Sequence, residues 1–327
     1  MDEFDFINKV KPNRTFQQNV KVAIGDDAAI YESSQGYHQV VCVDTMVEGV
    51  HFLRGLSSPF EIGYKALAVN ISDLAAMAAT PLYYLVSLAV PANWQEDDLL
   101  GIYEGMKQLS EEYKMDLLGG DTVSTSDKLV ITVTVIGEVE QGRSTLRSKA
   151  KIDDIVFVTG TIGDSAAGLA ILLGQATVHT QSLKTYLIQK HKMPTPQVKV
   201  GRIAGGLNRA SLNDVSDGLA SELNEIAEAS DVGIIIEEEA LPISDELLSL
   251  QSSYNIQSWV LYGGEDFELV GTTSQESWEK LKHACDDIGV QVTKIGVVQP
   301  NHNGVLLKTK NQDYIKLDKL GYNHFKK

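Results

Sequence analysis

Acidic residues follow several apolar runs in a setting that could bind metal ions. These aspartates stand at the ends of apolar runs or in glycine turns, and most are followed by glycine, threonine or another small residue. One such aspartate is usual in a turn or at a helix start. Several in the same setting point to a shared role as oxygen ligands. They are Asp26 and Asp27, Asp44, Asp121, Asp214 and Asp217.

A further aspartate, Asp73, lies inside a predicted helix that is apolar on both faces. Leucine, isoleucine and alanine recur at helical spacing from residue 63 to residue 79, so most of this helix is expected to be buried. A carboxylate there is costly unless it is paired, hydrogen-bonded or bound to a cation. Asp73 is therefore either part of an internal salt bridge or cap, or a metal ligand.

These carboxylates suit magnesium ions and a phosphate-bearing substrate. Mg²⁺ is commonly held by one or two carboxylates together with water and substrate phosphates. The chain has 44 Asp and Glu against 28 Lys and Arg, a formal charge of −16. That charge would repel a polyphosphate unless metal ions neutralised it. It also argues against nucleic acid as a main partner, because a phosphate backbone needs a basic surface.

Several familiar catalytic motifs are missing from the sequence. It contains no Gly-x-x-x-x-Gly-Lys-Ser/Thr, no Gly-x-Gly-x-x-Gly and no His-Arg-Asp loop. The P-loop, Rossmann and protein-kinase interpretations are therefore excluded. No His-Glu-x-x-His is present, and two cysteines, Cys42 and Cys285, are too few for a cysteine-based zinc site or a disulfide framework.

The composition is typical of a globular cytoplasmic protein. Of 327 residues, 43% are hydrophobic and 22% charged, and a chain of this length predicts two domains. No apolar run reaches the roughly 18 residues of a membrane span. The first five residues, MDEFD, are acidic where a signal peptide would be basic. Two cysteines fit a reducing compartment.

Local patterns predict helices and strands that mix without the alternation of a dinucleotide-binding sheet, which indicates an α+β chain. One helix is predicted from its cap at Ser58 to about Thr80, because Pro81 cannot continue it. Further helices are predicted at residues 93–114, 163–173, 183–191, 195–209, 217–230 and 275–288. Runs rich in Val, Ile and Thr predict strands at Gln39–Val43, Leu129–Ile136, Ile155–Thr159, Val232–Ile236 and Val292–Val298.

A basic, polar stretch, Arg147–Asp153, comes just before the strand predicted at Ile155. Such a stretch is typical of a linker. We therefore predict an N-terminal domain of residues 1–148 and a C-terminal domain of residues 149–327.

Six short segments, taken in order, carry a family resemblance. They are Gly25–Ala29, Val43–Phe52, Ala66–Met77, Gly119–Thr122, Asp214–Leu219 and Gly263–Leu269. Each alone is weakly specific, but together they span nearly the whole chain. The set resembles the thiamine-monophosphate kinase family, in the superfamily of aminoimidazole ribonucleotide synthetase and selenophosphate synthetase. The histidine that follows Glu48-Gly49 favours this family over its relatives.

The resemblance implies two domains of the aminoimidazole ribonucleotide synthetase type, each a mixed or antiparallel sheet packed with helices. It implies transfer of the γ-phosphoryl group of ATP onto the phosphate of thiamine monophosphate, giving thiamine diphosphate and ADP. A phosphate oxygen as acceptor needs little deprotonation, so no dedicated base and no phosphoenzyme are expected. Several Mg²⁺ ions would be held by Asp27, Asp44, Asp73, Asp121 and Asp214, and a further ion by Asp217.

The resemblance also implies substrate contacts, although ordinary structural roles stay open for several of them. The implied ATP-binding residues are Gly120, Asp121, Arg147, Ser216 and Tyr103. The implied thiamine-phosphate residues are His51, Glu265 and Tyr322. The structural alternatives are a solvated linker arginine for Arg147, a helix cap for Ser216, a core residue for Tyr103, a loop histidine for His51 and a tail anchor for Tyr322.

The sequence departs from the family pattern just before Asp44. Many relatives carry hydroxyl residues there, whereas this chain has Cys42 and Val43. A metal contact at this point must then come from a backbone carbonyl, which we assign to Val43. The resemblance further implies a homodimer whose N-terminal sheets pair into a barrel and so cover open strand edges.

Two other interpretations stay open. A synthetase or kinase of the same superfamily would keep the fold and use another phosphate or amide acceptor. Selenophosphate synthetase is disfavoured, because no cysteine precedes Cys42 to act as an N-terminal nucleophile. An acidic metal-binding scaffold would bind Mg²⁺ without turning over nucleotide.

Overall fold

The computed structural model describes residues 9–22, 29–300 and 304–321. The chain divides into two compact units. The first comprises the residues up to Leu74 together with Ala79–Gly142, and the second comprises Ala75–Ala78 and the residues from Arg143 onward. Within the described ranges, no helix combines the length and apolarity needed to cross a bilayer.

The first unit contains a small two-stranded sheet and a larger four-stranded sheet. Strands β1 (Val20–Val22) and β2 (Ile30–Tyr31) form the small sheet. The larger sheet has the order β3-β6-β4-β5, and all of its pairs are antiparallel except β4 with β5. The elements of this sheet and its helices are β3 (Tyr37–Val47), α1 (Pro59–Ala76), β4 (Thr80–Pro91), α2 (Glu96–Tyr113), β5 (Asp116–Thr125) and β6 (Val130–Glu140).

Helix α1 begins as predicted, with Ser58 and Glu61 forming a capping box. The Ser58 N–H donates to Glu61 Oε2 at 2.7 Å, and the Glu61 N–H donates to Ser58 Oγ at 3.3 Å. The prediction that it runs to Thr80 is wrong. Ala78 has a φ of 58°, a left-handed conformation that ends a helix, and β4 begins at Thr80.

Helices α1 and α2 approach each other closely at two glycines. A Cβ atom added at Gly63 would lie 1.8 Å from the carbonyl oxygen of Ile102. One added at Gly105 would lie 2.0 Å from the carbonyl oxygen of Phe60. Only glycine allows this approach, which sets the position of α1 in the unit.

The second unit contains a seven-stranded mixed sheet surrounded by helices. Its order is β13-β12-β9-β11-β7-β10-β8, and β12 with β9 is its parallel pair. Its apolar core includes Val156, Val158 and Leu223. The elements are β7 (Ile155–Thr159), α3 (Asp164–Leu172), α4 (Gln181–Lys192), α5 (Val198–Gly205), β8 (Ala210–Asp214), α6 (Leu219–Ser230), β9 (Gly233–Glu237), α7 (Asp245–Leu248), α8 (Ile256–Tyr262), β10 (Leu269–Thr273), α9 (Gln275–Asp287), β11 (Val292–Gln299), β12 (Gly304–Lys308) and β13 (Tyr314–Leu317).

The predicted α+β class, with mixed sheets packed against helices in two units, is confirmed. Strand β7 has the predicted bounds. The helix predicted at residues 195–209 is shorter, because α5 ends at the glycine pair Gly205-Gly206 and β8 begins at Ala210. The predicted linker contains a single 3-10 turn, Arg147–Lys149. The domain boundary after residue 148 stays a prediction.

Candidate active site

In the first unit, the side chains of Asp44 and Asp73 meet. Asp44 lies on β3, and its carboxyl group is hydrogen-bonded to that of Asp73 on α1. Every residue from Ile62 to Ala76 is buried except Asp73, which is half-buried. The helix is therefore buried as predicted, and the one carboxylate of this buried stretch, that of Asp73, lies where it can reach β3.

Asn70 holds Asp44 beside this helix. The Asp44 N–H donates to Asn70 Oδ1 at 3.0 Å, while Asn70 Nδ2 donates to the Ala66 carbonyl at 2.9 Å. Asn70 is fully buried. Sequence reasoning counted it as part of the apolar helix face and missed this role. The available signal was an amide side chain three residues before Asp73, on the same side of the helix.

The Asp44 carboxyl group is under electrostatic strain. Burial raises its pKa, whereas the hydrogen bond with Asp73 and the nearby His51 imidazole lower it. Two carboxyl groups in contact cannot both be ionised without cost unless a cation lies beside them. The pair therefore suits a divalent metal ion.

His51 lies in the turn that follows β3. The Val47 N–H donates to His51 Nδ1 at 3.0 Å, and the His51 N–H donates to the Val47 carbonyl at 3.0 Å. Because Nδ1 accepts a hydrogen bond, a neutral imidazole carries its proton on Nε2. His51 can therefore present a donor close to Asp44.

Asp121 lies apart from Asp44 and Asp73. Strands β3 and β5 are the two edges of the sheet, so Asp44 and Asp121 are about 14 Å apart at the usual strand spacing. The register places Asp121 in one row with Ser87, Thr132 and Thr45, on the exposed face of the sheet. Asp44 belongs to the neighbouring row, on the side that α1 covers. Within one chain, Asp121 does not join the Asp44–Asp73 pair.

The other candidate residues of the first unit differ in exposure. Val43 lies next to Asp44 with its side chain exposed on the open face of the sheet. Gly120 is also exposed, and a Cβ there would lie 1.8 Å from the Val86 carbonyl oxygen. Tyr103 is half-buried on α2. Burial raises the pKa of its hydroxyl group, and the nearby Tyr84 raises this pKa further. Asp27 lies outside the described residues.

In the second unit, two of the sequence motifs form adjacent loops. Strands β8 and β10 pair antiparallel, with Asp214 opposite Leu269. Beyond this pair, the Glu265 N–H donates to the Ser216 carbonyl at 2.7 Å. A Cβ at Gly264 would lie 2.4 Å from the same oxygen, so this approach requires glycine. Ser216 and Glu265, predicted on the nucleotide and thiamine sides, are thus neighbours.

Glu265 is held by its backbone and by a histidine. Its φ is +64°, a left-handed conformation that is uncommon for a residue other than glycine. His191 Nδ1 lies 3.4 Å from Glu265 Oε2 and 3.1 Å from Ser165 Oγ. The neighbouring Asp266 accepts hydrogen bonds from the N–H groups of Gly163 and Ser165, at 2.6 and 3.1 Å. Burial raises the pKa of Asp266 to about 8, although these two N–H groups lower it.

Arg147 and the loop after β8 are joined by polar side chains that sequence reasoning missed. Arg147 Nε donates to Asn213 Oδ1 at 3.0 Å, and Asn213 Nδ2 donates to the carboxylate of Glu222. Glu222 is buried, and burial raises its pKa to about 8, with Asp214 as a second cause. Polar residues inside a strand and in the first turn of α6 were the only signal in the sequence.

Within the described ranges, no three His, Cys, Asp or Glu side chains are arranged to hold a metal ion. Mg²⁺ is commonly held by one or two carboxylates, with water and substrate phosphates as its other ligands. The Asp44–Asp73 pair fits this requirement. Gly321 lies against the Asp217 backbone, since a Cβ there would be 1.9 Å from the Asp217 carbonyl oxygen. Tyr322 lies outside the described residues.

Two family models match this chain. The family model "AIR synthase related protein, N-terminal domain" matches residues 25–139, and the corresponding C-terminal domain model matches residues 151–308. The fold and the two matches thus define a two-domain protein of the AIR synthase-related class.

Curated relatives narrow the class. The thiamine-monophosphate kinase of Bacillus subtilis (strain 168) is 56% identical over 328 residues, covering 100% of both chains. That of Escherichia coli (strain K12) is 38% identical, over 95% of this chain and 94% of the relative. The chain belongs to the thiamine-monophosphate kinase family, and it is accordingly an enzyme of the phosphotransferase class.

Solved structures agree with this assignment. The crystal structure of thiamine-monophosphate kinase from Stenotrophomonas maltophilia K279a aligns with a TM-score of 0.83 and 32% identity, over 93% of this chain and 94% of that one. AaThiL complexed with AMPPCP and TMP aligns with a TM-score of 0.78 and 34% identity, over 93% and 92% of the two chains.

Proposed function

We propose that this enzyme transfers the γ-phosphoryl group of ATP directly onto the phosphate of thiamine monophosphate. The contact between Asp44 and Asp73 carries the proposal, because it brings two carboxylates from separate motifs to one point beside the donor His51. The complex of the relative AaThiL with AMPPCP and TMP supports the choice of substrates.

In the proposed reaction, a phosphate oxygen of thiamine monophosphate attacks the γ-phosphorus of ATP in line. The bond from the γ-phosphorus to the bridging β,γ-oxygen breaks, and ADP leaves with that bonding pair. Because the attacking oxygen is already largely deprotonated near neutral pH, no side chain needs to act as a general base. The protein contributes alignment and charge stabilisation.

Bound Mg²⁺ would neutralise charge on the phosphates and on the aspartates around them. We propose the carboxylates of six aspartates and one backbone carbonyl as the ligands of several such ions, with Asp217 holding a further one. They are Asp27, Asp44, Asp73, Asp121, Asp214 and Asp217, and the carbonyl of Val43. The requirement for ions is consistent with the charge of −16, which would otherwise repel two phosphate-bearing substrates.

The remaining candidate residues would bind and orient the two substrates. We propose that His51 donates through Nε2 to the phosphate of thiamine monophosphate, and that Glu265 accepts from a donor on the thiamine ring system. The proposed ATP contacts are Gly120, Asp121, Arg147, Ser216 and Tyr103. Tyr322 completes the proposed thiamine-phosphate contacts.

A homodimer and a cytoplasmic location are also part of the proposal. The open face of the four-stranded sheet exposes Val41, Val43 and Val123 to 66, 57 and 50%. Such apolar residues on one sheet face are typical of an interface. A second copy of the chain would cover this face, which also carries Asp121.

The direct test is incubation of the protein with ATP, Mg²⁺ and thiamine monophosphate, followed by chromatographic separation of the products. We expect thiamine diphosphate and ADP in equal amounts, with no turnover when EDTA removes the metal. ADP without thiamine diphosphate would point to another acceptor. Mg²⁺ binding without any nucleotide turnover would support a scaffold.

A further inference from the structure

A continuous chain of hydrogen bonds joins Arg147 to the loop after β8, through side chains that have no place in the mechanism above. Arg147 Nε donates to Asn213 Oδ1 at 3.0 Å. Asn213 Nδ2 donates to Glu222 Oε2. Glu222 Oε1 in turn accepts from the Asp217 N–H at 3.0 Å and from Ser216 Oγ at 3.3 Å.

The Arg147 guanidinium determines which group donates and which accepts along this series of hydrogen bonds. A guanidinium group can only donate, so Asn213 must turn its oxygen towards Arg147. Its NH₂ group then faces Glu222, which must offer an acceptor. The Asp217 N–H is also only a donor, so Glu222 must accept at its other oxygen as well. An ionised carboxylate meets both requirements, whereas an amide cannot, and the hydrogen bond from the Asp217 N–H opposes the rise in the pKa of Glu222 that burial causes.

This series of hydrogen-bonded groups is buried at its centre and partly exposed at its ends. Asn213 and Glu222 are 1 and 3% exposed, so a mismatched donor pair there could not be relieved by water. Arg147 is half-exposed and makes a second contact, with Glu225 Oε2 at 2.8 Å from its Nη1. Arg147 is thus oriented from two sides, while part of it stays accessible to a ligand.

We propose that Asn213 and Glu222 are positioning residues for the nucleotide. They hold the Arg147 guanidinium and the Ser216–Asp217 loop in one fixed arrangement, so that both ATP contacts are formed before the nucleotide binds. Such preorganisation lowers the cost of ordering these groups on binding. The inference rests on the proposed function, because the nucleotide roles of Arg147 and Ser216 belong to that proposal.

The test uses two substitutions that reverse one donor and one acceptor. Glu222→Gln places an NH₂ group against either Asn213 Nδ2 or the Asp217 N–H. Asn213→Asp places a carboxylate against that of Glu222. Each single variant should weaken binding of the non-hydrolysable analogue AMPPCP with Mg²⁺ by roughly 10- to 100-fold in calorimetry, as expected for a buried mismatch. The KM for ATP should rise accordingly, and by more than the KM for thiamine monophosphate, because Glu265 contacts this loop through its backbone N–H.

In the double variant Asn213→Asp with Glu222→Gln, every donor again faces an acceptor, and the net charge is unchanged. It should regain at least half of the loss in nucleotide affinity on a logarithmic scale. Complete recovery is not expected, because Glu225 Oε2 lies 3.4 Å from Asn213 Nδ2 and would face the new carboxylate. A double variant that binds no better than the weaker single variant would overturn the proposal.

Asp154→Asn is the matched control. Asp154 is a buried carboxylate of the same unit that pairs with Arg209 and accepts from the Lys151 N–H at 2.8 Å. Its replacement should lower thermal stability without changing the affinity for AMPPCP. A purely structural role for Glu222 would give the same pattern in Glu222→Gln.

Two further results would separate the positioning role from loss of folding and from failure of the proposed function. If the single variants do not fold, Asn213→Ala removes the link without placing two like groups against each other, although Glu222 Oε2 loses one donor. Nucleotide affinity equal to that of the wild type would then refute the proposal. If the wild type binds AMPPCP but forms no thiamine diphosphate, the proposed function fails. The positioning of the nucleotide is still decided by the binding measurements alone.

Discussion

The contact between Asp44 and Asp73 brings together two carboxyl groups from separate sequence motifs. Burial raises the pKa of Asp44, and the hydrogen bond between the two carboxyl groups requires a shared proton or a nearby cation. A pair of this kind costs stability in the absence of a ligand. We propose that binding of a divalent ion beside the two groups offsets this cost.

We predict that Asp44→Asn separates activity from stability. Loss of one ligand should cost several kcal/mol of transition-state stabilisation, so turnover should fall roughly 100-fold or more. The melting temperature without metal should stay the same or rise, because one of two crowded carboxylates is gone. Product formation and thermal unfolding in EDTA measure the two effects.

Asp116→Asn is the matched control in the same unit. Asp116 is buried and accepts hydrogen bonds from the N–H groups of Phe16 and Gln17 at 2.5 and 2.7 Å. Its replacement should lower the melting temperature and leave turnover per folded molecule unchanged. If Asp44→Asn unfolds the protein while turnover stays high, Asp44 is a structural residue.

At the scale of elements, helix α1 positions both Asn70 and Asp73 against β3. The helix is buried along nearly its whole length, and its place is set by two close contacts, that of its Gly63 with Ile102 of α2 and that of Gly105 of α2 with its Phe60. The geometry of the carboxylate pair therefore depends on a helix crossing several turns away from it.

We predict that Gly63→Ala moves this helix. The new Cβ would lie 1.8 Å from a backbone oxygen, so the helices must separate, at a cost of about 1–3 kcal/mol. Urea denaturation should show this loss, and turnover should fall with it because Asp73 shifts relative to Asp44. Gly119→Ala is the stability control, since nothing lies within 4 Å of its added Cβ. Equal stability of Gly63→Ala and the wild type would contradict the predicted displacement.

At the scale of the whole molecule, the proposed homodimer would cover the open face of the four-stranded sheet. Val41 and Val43 stand on this face beside the hydroxyl pair Thr45–Thr132, whose oxygens are 2.9 Å apart. An exposed sheet face that carries valine and threonine side chains can pack face to face against another sheet. Asp121 shares the face, so dimer formation would also determine its surroundings.

We predict that Val41→Glu converts the proposed dimer into a monomer. A carboxylate on the paired face would be buried without a partner, which is costly. Light scattering after gel filtration should give twice the chain mass for the wild type and the chain mass for the variant. Val50→Glu is the control, because Val50 is 54% exposed in a loop outside the sheet. A monomeric wild type would refute the dimer.

Local sequence determined the elements whose signals are short in range. The capping residues Ser58 and Glu61 and the β-branched run Ile155–Thr159 predicted the start of α1 and the bounds of β7. Strand β4 was not predicted, because Pro81 and Pro91 lie within it and proline disfavours a central strand. Its place between β6 and β5 comes from pairing with residues distant in sequence.

The same division applies to the candidate site. The sequence predicted that aspartates would supply the chemistry, because a carboxylate inside an apolar segment such as α1 requires a partner or a cation. Only the tertiary structure decided which groups meet, since this depends on strand order and on the face that each side chain occupies. It joined Asp73 to Asp44 and left Asp121 on the far edge. It also linked Asn213 and Glu222 to Arg147 by consecutive hydrogen bonds, which no local sequence pattern predicts.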